Sequence, residues 1–488
     1  MQINFDNTYG NLPKNFYTQI KPTPVVNPHL ILFNWPLACD LGLNVEREEL
    51  QKIADVFSGN LVLESSNPLA LVYAGHQFGY FVPQLGDGRA VLLGEVVNTS
   101  GARYDIQLKG SGKTSYSRGG DGRATLGPML REYIVSEAMH GLGIKTTRSL
   151  ALVTTGEPVF RDTILPGAIL TRVASSHIRV GTFEYFAAQK DFESLKILAD
   201  YAINRHAPHA KDSKNPYFSF LEFVLDMQTS LIVDWMRVGF IHGVMNTDNT
   251  AISGETIDYG PCAFLDEYVP DKVFSAIDSY GRYAFNKQFS IGLWNFIKLS
   301  ETLAFLLSTE LKASAAIIKE LERLFIEKFH EKYLEMMAHK IGIFIPDEKD
   351  GQLIQDLLNI MEENYLDYTL TFRHLIQNTG QSSWALLKDF AVPRGFQQWI
   401  EVWKVRLVSQ GVTHDEVVAL MAAQNPILIP RNHRIEEAID FAVEHNDFSK
   451  ANRLIKAFSD PYKNNEEFID LGQPPTSQQR VYQTFCGT

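Results

Sequence analysis

The sequence predicts an α+β protein of two lobes, strand-rich first and helical afterwards. Two observations carry this. Between residues 90 and 109 an apolar run and a strictly alternating run flank a turn signal, the pattern of paired strands. From about residue 185 onward the texture is helical, as in 216–239, 293–342 and 434–458. No internal repeat or low-complexity linker interrupts the chain, so the lobes are expected to pack tightly.

Residues 1–75 read as irregular, with prolines at 13, 22, 24, 28 and 36, and are expected to form an N-terminal extension packed on the lobes. Residues 76–180 form the strand-rich lobe. In it AVLLGEVV (90–97) is an apolar strand, NTSG (98–101) a turn and RYDIQLK (103–109) an alternating strand. Tyr104, Ile106 and Leu108 face one way; Asp105, Gln107 and Lys109 face the other. The glycine-rich loop GSGKTSYSRGGDGRATLGP (110–128) leads into a helix over 131–143, with an apolar stripe of Ile134, Val135, Ala138, Met139 and Leu142 and with Glu132, Ser136 and His140 on another face. Residues 181–488 form the helical lobe, which holds a strand-like island at 242–266 and ends in a tail carrying Cys486.

Composition narrows the function. Hydrophobic residues make up 45% and charged residues 21% of 488, ordinary globular usage that implies a large core. A net charge of −12 argues against nucleic acid or acidic membranes as partners. There is no secretory leader and no run of about 18 apolar residues, so no membrane role is expected. Cysteine occurs only at 39, 262 and 486, which suits a reducing, cytoplasmic setting.

Several motifs could carry chemistry. GSGKT (110–114) lacks the first glycine of a Walker A loop, since position 107 is Gln. LGDGR (85–89) is a tight turn or a phosphate-contacting loop. From 85 to 131, seven cations (Arg89, Arg103, Lys109, Lys113, Arg118, Arg123, Arg131) face four carboxylates, and Arg172 with Arg179 could complete a polyphosphate cradle. The alternative is a solvated basic face. Lys109 on a strand's polar face, followed by a helix carrying Glu132, matches the way kinases hold a phosphate-binding lysine. The plainer alternative is an exposed lysine and a glutamate favoured by the helix dipole. His206 and His209 show no metal-site spacing, and Asn98 would be a glycosylation acceptor only outside the cytosol.

HGVMNTDNTAISGETIDYGPCAFLD (242–266) concentrates oxygen ligands. A hairpin turning at Ser253–Gly254 would set Asn249 opposite Asp258, a pair suited to one hard cation, and would turn Asp248 away from them as a candidate base. The same residues also make a capped hairpin that binds no metal.

Taken together, LGDGR, QLKGSGKTSYSRGGDGRATLGPMLREY, LTRVASSHIRVG, the 242–266 stretch and NPILIPRNHRIEEAI (425–439) resemble the selenoprotein O family, also called YdiU. The resemblance runs over essentially the whole chain. It implies a protein-kinase-like two-lobed fold and transfer of AMP from ATP to Ser, Thr or Tyr hydroxyls of proteins, with UMP transfer from UTP and manganese associated with bacterial members. By that resemblance Gly86, Gly88 and Arg89 contact the nucleotide, and Asp121 with Gly122 form a second contact. Lys109, Arg172 and Arg179 bind phosphate, and Glu132 holds Lys109. Asp248 is the base; Asn249 and Asp258 hold Mg²⁺ or Mn²⁺. In many bacterial members a cysteine after the DYG segment can pair with the C-terminal one; here that position reads as Phe274, leaving Cys262–Cys486 as the substitute pair that the resemblance offers. A conventional kinase and a nucleotide-binding pseudokinase scaffold are the rival readings.

Overall fold

The apolar and alternating runs at 90–109 become the middle of one antiparallel sheet in the computed structural model, which describes residues 1–379 and 395–485. In chain order the strands are β1 (Tyr17–Gln19), β2 (His29–Phe33), β3 (Leu69–Leu71), the small hairpin β4 (Gly75–Gln77) and β5 (Tyr80–Val82), β6 (Ala90–Val97), β7 (Arg103–Lys109), β8 (Ala124–Thr125), β9 (Arg148–Phe160) and β10 (Ile164–Ala174). The large sheet runs β1-β3-β6-β7-β10-β9-β2, with β8 added on β10. The NTSG turn works through Asn98, whose Oδ1 accepts from the Ser100 N–H (3.1 Å) and the Ala102 N–H (2.8 Å).

The first 75 residues are therefore not irregular throughout, since β1, β2 and β3 belong to the sheet. β1 and β3 have three residues each, too few to show a period, and Pro28 and Pro36 bracket β2 rather than interrupt it. Helices α1 (Trp35–Asp40) and α2 (Leu50–Ser58) also come from this part, and Ile53 and Phe57 of α2 are buried with Ile106, Leu108 and Ile169.

Alternation in β7 holds, but both faces are buried. Ile106 and Leu108 face the α2 core, whereas Asp105, Gln107 and Lys109 face the other way. Helix α3 (Leu126–Gly141) covers that second side, packing on β9 and β10. It starts earlier than expected, at an N-cap Thr125 with Pro128 in the first turn, where a missing N–H costs nothing.

The helical remainder comprises α4 (Val180–Ala188), α5 (Phe192–His206), α6 (Pro216–Val238), α7 (Gln288–Thr302), α8 (Ala304–Leu307), α9 (Leu311–Lys340), α10 (Glu348–Glu363), α11 (Tyr368–Asn378), α12 (Phe396–Ser409), α13 (His414–Gln424), α14 (Asn432–His445) and α15 (Ser449–Phe458). Among the described residues no helix is long and apolar enough to cross a membrane. Gly239 stops α6 in a left-handed C-cap, and Asn446 does the same for α14, splitting the 434–458 stretch in two.

The hairpin expected within 242–266 does not form. The strands there are β11 (Phe240–Ile241) and β12 (Ala263–Phe264), paired with each other at the ends of the segment. Between them the chain bonds elsewhere: Ala251 bridges Arg179 and Thr256 bridges Thr146. The turn is one residue earlier, closed by the Gly254 N–H on the Ala251 carbonyl (3.2 Å). Backbone partners from the loops before α4 and after α3 are available on both sides, so the segment pairs with them and not with itself.

One buried charge cluster ties the sheet to α5. The Arg205 guanidinium donates to Asp105 of β7 (2.6 Å) and Glu95 of β6 (3.1 Å), while His177 donates its backbone N–H to Asp105 (2.9 Å). Burial opposes ionisation of Asp105, yet Arg205 and His177 outweigh it and hold the carboxyl at about 2. Arg205→Met should cost about 3 kcal/mol in urea unfolding, the expected penalty for orphaning buried carboxylates. Because Asp105 is depressed in the folded state, its contribution is present above the ordinary carboxylate range and lost as pH falls through about 2. In the variant, acid unfolding should begin at a higher pH, and unchanged acid and urea midpoints would refute the assignment.

Candidate active site

The end of β7 delivers Lys109 to a cleft of about 500 Å³ between the sheet and the helical part. The twelve residues given site roles by the family resemblance all line it: Gly86, Gly88, Arg89, Lys109, Asp121, Gly122, Glu132, Arg172, Arg179, Asp248, Asn249 and Asp258. Residues more than a hundred positions apart meet here because β7 and β10 are neighbours, with Gln107 opposite Arg172, and α3 lies across them.

The centre is an ion-pair network. Lys109 Nζ donates to Glu132 Oε2 (2.6 Å) and to Asp258 Oδ1 (2.9 Å). Arg172 donates through Nε to Glu132 Oε1 (2.9 Å) and through Nη2 to Asp258 Oδ1 (2.7 Å). Arg179 Nη1 reaches Asp258 Oδ2 (3.0 Å) and the Asp248 backbone carbonyl (2.6 Å). The exposed-lysine alternative for Lys109 thus gives way to a buried pair. Burial works against the ionised form of Asp258, but Arg172, Lys109 and Arg179 prevail and hold it well below the usual carboxylate range. Glu132 is lowered in the same way, by Arg172 and Lys109 against burial. Asp258 sits at φ +65°, a left-handed backbone that costs about 1–3 kcal/mol for a residue with a side chain. Three ion pairs on its carboxylate offset that cost.

The Asp248 side chain stands apart from this network, and a 3₁₀ turn (Thr247–Asn249), not strand alternation, separates it from its neighbours. Its Oδ2 accepts from Gln77 Nε2 (3.1 Å), while Oδ1 is buried without a hydrogen-bond partner. Burial is the main reason that its carboxyl is pushed up to about 6. Asn249 donates its side-chain N–H to the Val244 carbonyl (3.1 Å), which commits the nitrogen and leaves the amide oxygen as the end that can ligate. An amide oxygen and a carboxylate are the hard donors that Mg²⁺ or Mn²⁺ takes alongside phosphate oxygens, so the residues fit such an ion. Among the described residues no cluster of three or more His, Cys, Asp or Glu could hold a metal without such help.

The glycine-rich loop closes on itself: Gly112 N–H donates to the Gly122 carbonyl (3.0 Å), and Ser111 bridges Arg123. Gly122 lies at φ +71°, and a Cβ there would fall 2.1 Å from the Gly112 carbonyl oxygen, so only glycine fits. Asp121 forms a two-pronged pair with Arg161 (2.8 and 3.0 Å). The loop is no Walker A element, since α3 begins only at Leu126.

The basic cluster is smaller than the sequence count implied. Arg103 shares Lys109's face but stands six residues away, about 20 Å along the strand, and binds Asp6 (2.6 Å). Arg131 pairs with Glu436 of α14, and Lys113 is exposed outside the cleft. Several cleft residues were missed, among them Asp87, Asn246, Arg161 and Gln77. Asp87 lies between Gly86 and Gly88, accepts from Gln107 Nε2 (3.0 Å), and is pushed up to about 6 by burial; its place inside GDGR was the available signal. Asn246, Arg161 and Gln77 carry no local signal. His206 bonds Ser176 through its ring (2.8 Å), in line with its dismissal as a ligand. Cys262 is buried near the docked tail, where Thr484 donates its N–H to Phe274 (2.7 Å) and its hydroxyl to Pro261 (2.6 Å). Cys486, and with it the pairing expected with Cys262, lies outside the described residues.

Residues 1–459 match the family described as protein adenylyltransferase SelO. A protein nucleotidyltransferase YdiU from Maridesulfovibrio salexigens is 53% identical over 484 residues, 99% of this chain and 98% of that protein. One of the same name from Rhizobium rhizogenes is 51% identical over 488 residues, 100% of this chain and 97% of the relative. Another from Nitrosococcus oceani is 50% identical over 484 residues, 99% and 97% respectively. Agreement of this extent, from end to end, makes the chain a member of the SelO family of protein adenylyltransferases.

Proposed function

We propose that the protein transfers AMP from ATP to Ser, Thr or Tyr hydroxyls of other proteins, with UTP as a second donor. The observation that carries this reading is a carboxylate with one bare oxygen, Asp248, beside three cations that converge on Asp258. Asp248 takes the acceptor's proton as its oxygen bonds to the α-phosphorus. The bond from that phosphorus to the pyrophosphate oxygen breaks, and Lys109, Arg172 and Arg179 offset the charge that develops there. Gly86, Gly88, Arg89, Asp121 and Gly122 hold the rest of the nucleotide. Asn249 and Asp258 would bind Mg²⁺ or Mn²⁺, which when present supplies further charge neutralisation on the phosphates. A kinase-like two-lobed architecture is supported by the strand lysine paired with a helix glutamate, Lys109 with Glu132.

A conventional kinase is disfavoured by spacing, because kinases place four residues between base and metal-binding Asn, and here Asp248 and Asn249 are adjacent. Label position decides the matter. With a divalent cation, α-labelled ATP should mark the protein itself or lysate proteins and γ-labelled ATP should not. Labelling from γ alone would establish the kinase, and labelling from neither the scaffold.

A further inference from the structure

The β4–β5 hairpin lies against the 246–249 turn, and the partners on its inner strand are unusually specific. His76 anchors β4: its backbone N–H donates to Thr247 Oγ1 (2.7 Å), and its ring Nδ1 pairs with Glu184 (2.6 Å). At the hairpin turn the Phe78 N–H donates to Asn246 Oδ1 (3.0 Å), which also accepts from the Tyr283 hydroxyl (2.6 Å). These bonds fix the strand's register against the catalytic turn. Strand alternation then puts Gly75 and Gln77 on one side. A Cβ on Gly75 would stand 2.4 Å from Asp248 Oδ1, so the glycine leaves the room that this oxygen occupies. Gln77 supplies the N–H to Oδ2.

We infer that Gln77 is a positioning residue for the reaction: its amide holds Asp248 Oδ2 and, with Gly75 packed against the buried Oδ1, fixes the plane of the carboxylate that receives the acceptor's proton. The inference rests on Asp248 being the base. As the acceptor oxygen bonds to the α-phosphorus and pyrophosphate leaves, the hydroxyl proton moves to the Asp248 carboxylate. Oδ2 keeps a lone pair for Gln77 in either protonation state, so the hydrogen bond survives the step. A donor that must not itself give up or take a proton is best supplied by an amide. Without it the carboxylate can rotate and present either oxygen at any angle, and loss of orientation lowers the rate of proton transfer without touching nucleotide binding.

The test compares wild type, Gln77→Leu, Gln77→Asn and Asp248→Asn in transfer of AMP from α-labelled ATP, with kcat and the KM for ATP measured separately. Leucine keeps most of the side-chain volume and removes the donor; asparagine keeps the donor but falls short of Oδ2. Both Gln77 variants should lose about tenfold or more in kcat with the KM for ATP and the thermal midpoint unchanged, a loss that cannot exceed the roughly 10²–10⁴-fold that the base itself contributes. A leucine variant with wild-type kcat would overturn the inference, as would a fall in kcat matched by a rise in KM. Should leucine fail to fold, the asparagine variant alone decides by the same criteria. If Asp248→Asn transfers AMP as well as wild type, the base assignment itself fails; if that variant is inactive while both Gln77 variants are normal, only the role of Gln77 does.

Discussion

Asp258→Asn should abolish AMP transfer, destabilise the nucleotide-free protein and yet tighten its metal-free binding of ATP. The three effects have one origin. Asp258 is the shared counter-charge of Lys109, Arg172 and Arg179, whose side chains are only 10%, 2% and 4% exposed. Replacing it leaves Glu132 as the carboxylate facing Lys109 and Arg172, and leaves Arg179 with the Asp248 carbonyl. Breaking a buried pair in this way costs about 3 kcal/mol, measurable by urea unfolding. The uncompensated cations then favour a polyphosphate, so in the presence of a chelator the ATP dissociation constant should fall about tenfold, equivalent to about 1.4 kcal/mol. Transfer should fall because, on the proposed assignment, a neutral amide would replace the one charged side-chain ligand of the divalent ion; a decrease of about 10³-fold is expected from removing so central an electrostatic element. A variant that binds metal-free ATP more weakly than wild type would contradict the view that Asp258 competes with the phosphates for these cations.

That competition could not be read from the sequence, although each of its members could. Lys109 and Glu132 were legible because β7 alternates cleanly and α3 has a clear apolar stripe, so both fall on predictable faces. Arg172 and Arg179 were legible only as extra charge, because their place depends on β10 pairing with β7, a contact between distant parts of the chain. The segment 249–258 shows the opposite case. Its Ser-Gly pair is a sound local turn signal, and a turn does form close by, but backbone partners at Ile178, Lys145 and Thr147 capture the flanks. Asn249 and Asp258 reach the same cleft without the expected cross-strand pairing. The short strands β1 and β3 escaped notice for lack of length, and Gln77 because nothing local marks a glutamine that acts 171 residues away. Local periodicity therefore located the elements, and tertiary pairing decided the geometry.

Asp248→Asn should, unlike Asp258→Asn, leave stability intact while being just as inactive. Asp248 Oδ1 is buried with no hydrogen-bond partner, and burial pushes its carboxyl up to about 6, so its charge at neutral pH is held at a cost to the fold. An asparagine removes that charge and can still accept from Gln77 through its amide oxygen. The Arg179 bond is to the backbone carbonyl and is indifferent to the side chain. Unfolding free energy should therefore stay within about 1 kcal/mol of wild type and not fall, since an active site often keeps a group that the fold alone would not choose. The KM for ATP should be unchanged, because the Asp248 side chain has no share in the Lys109–Arg172–Arg179 network. By contrast kcat should drop about 10²–10⁴-fold, the range that a positioned base contributes. Urea unfolding and initial rates on the two asparagine variants, side by side, separate a carboxylate that the fold needs from one that only the chemistry needs. A marked loss of stability in Asp248→Asn would place Asp248 in the first class and remove it as the base.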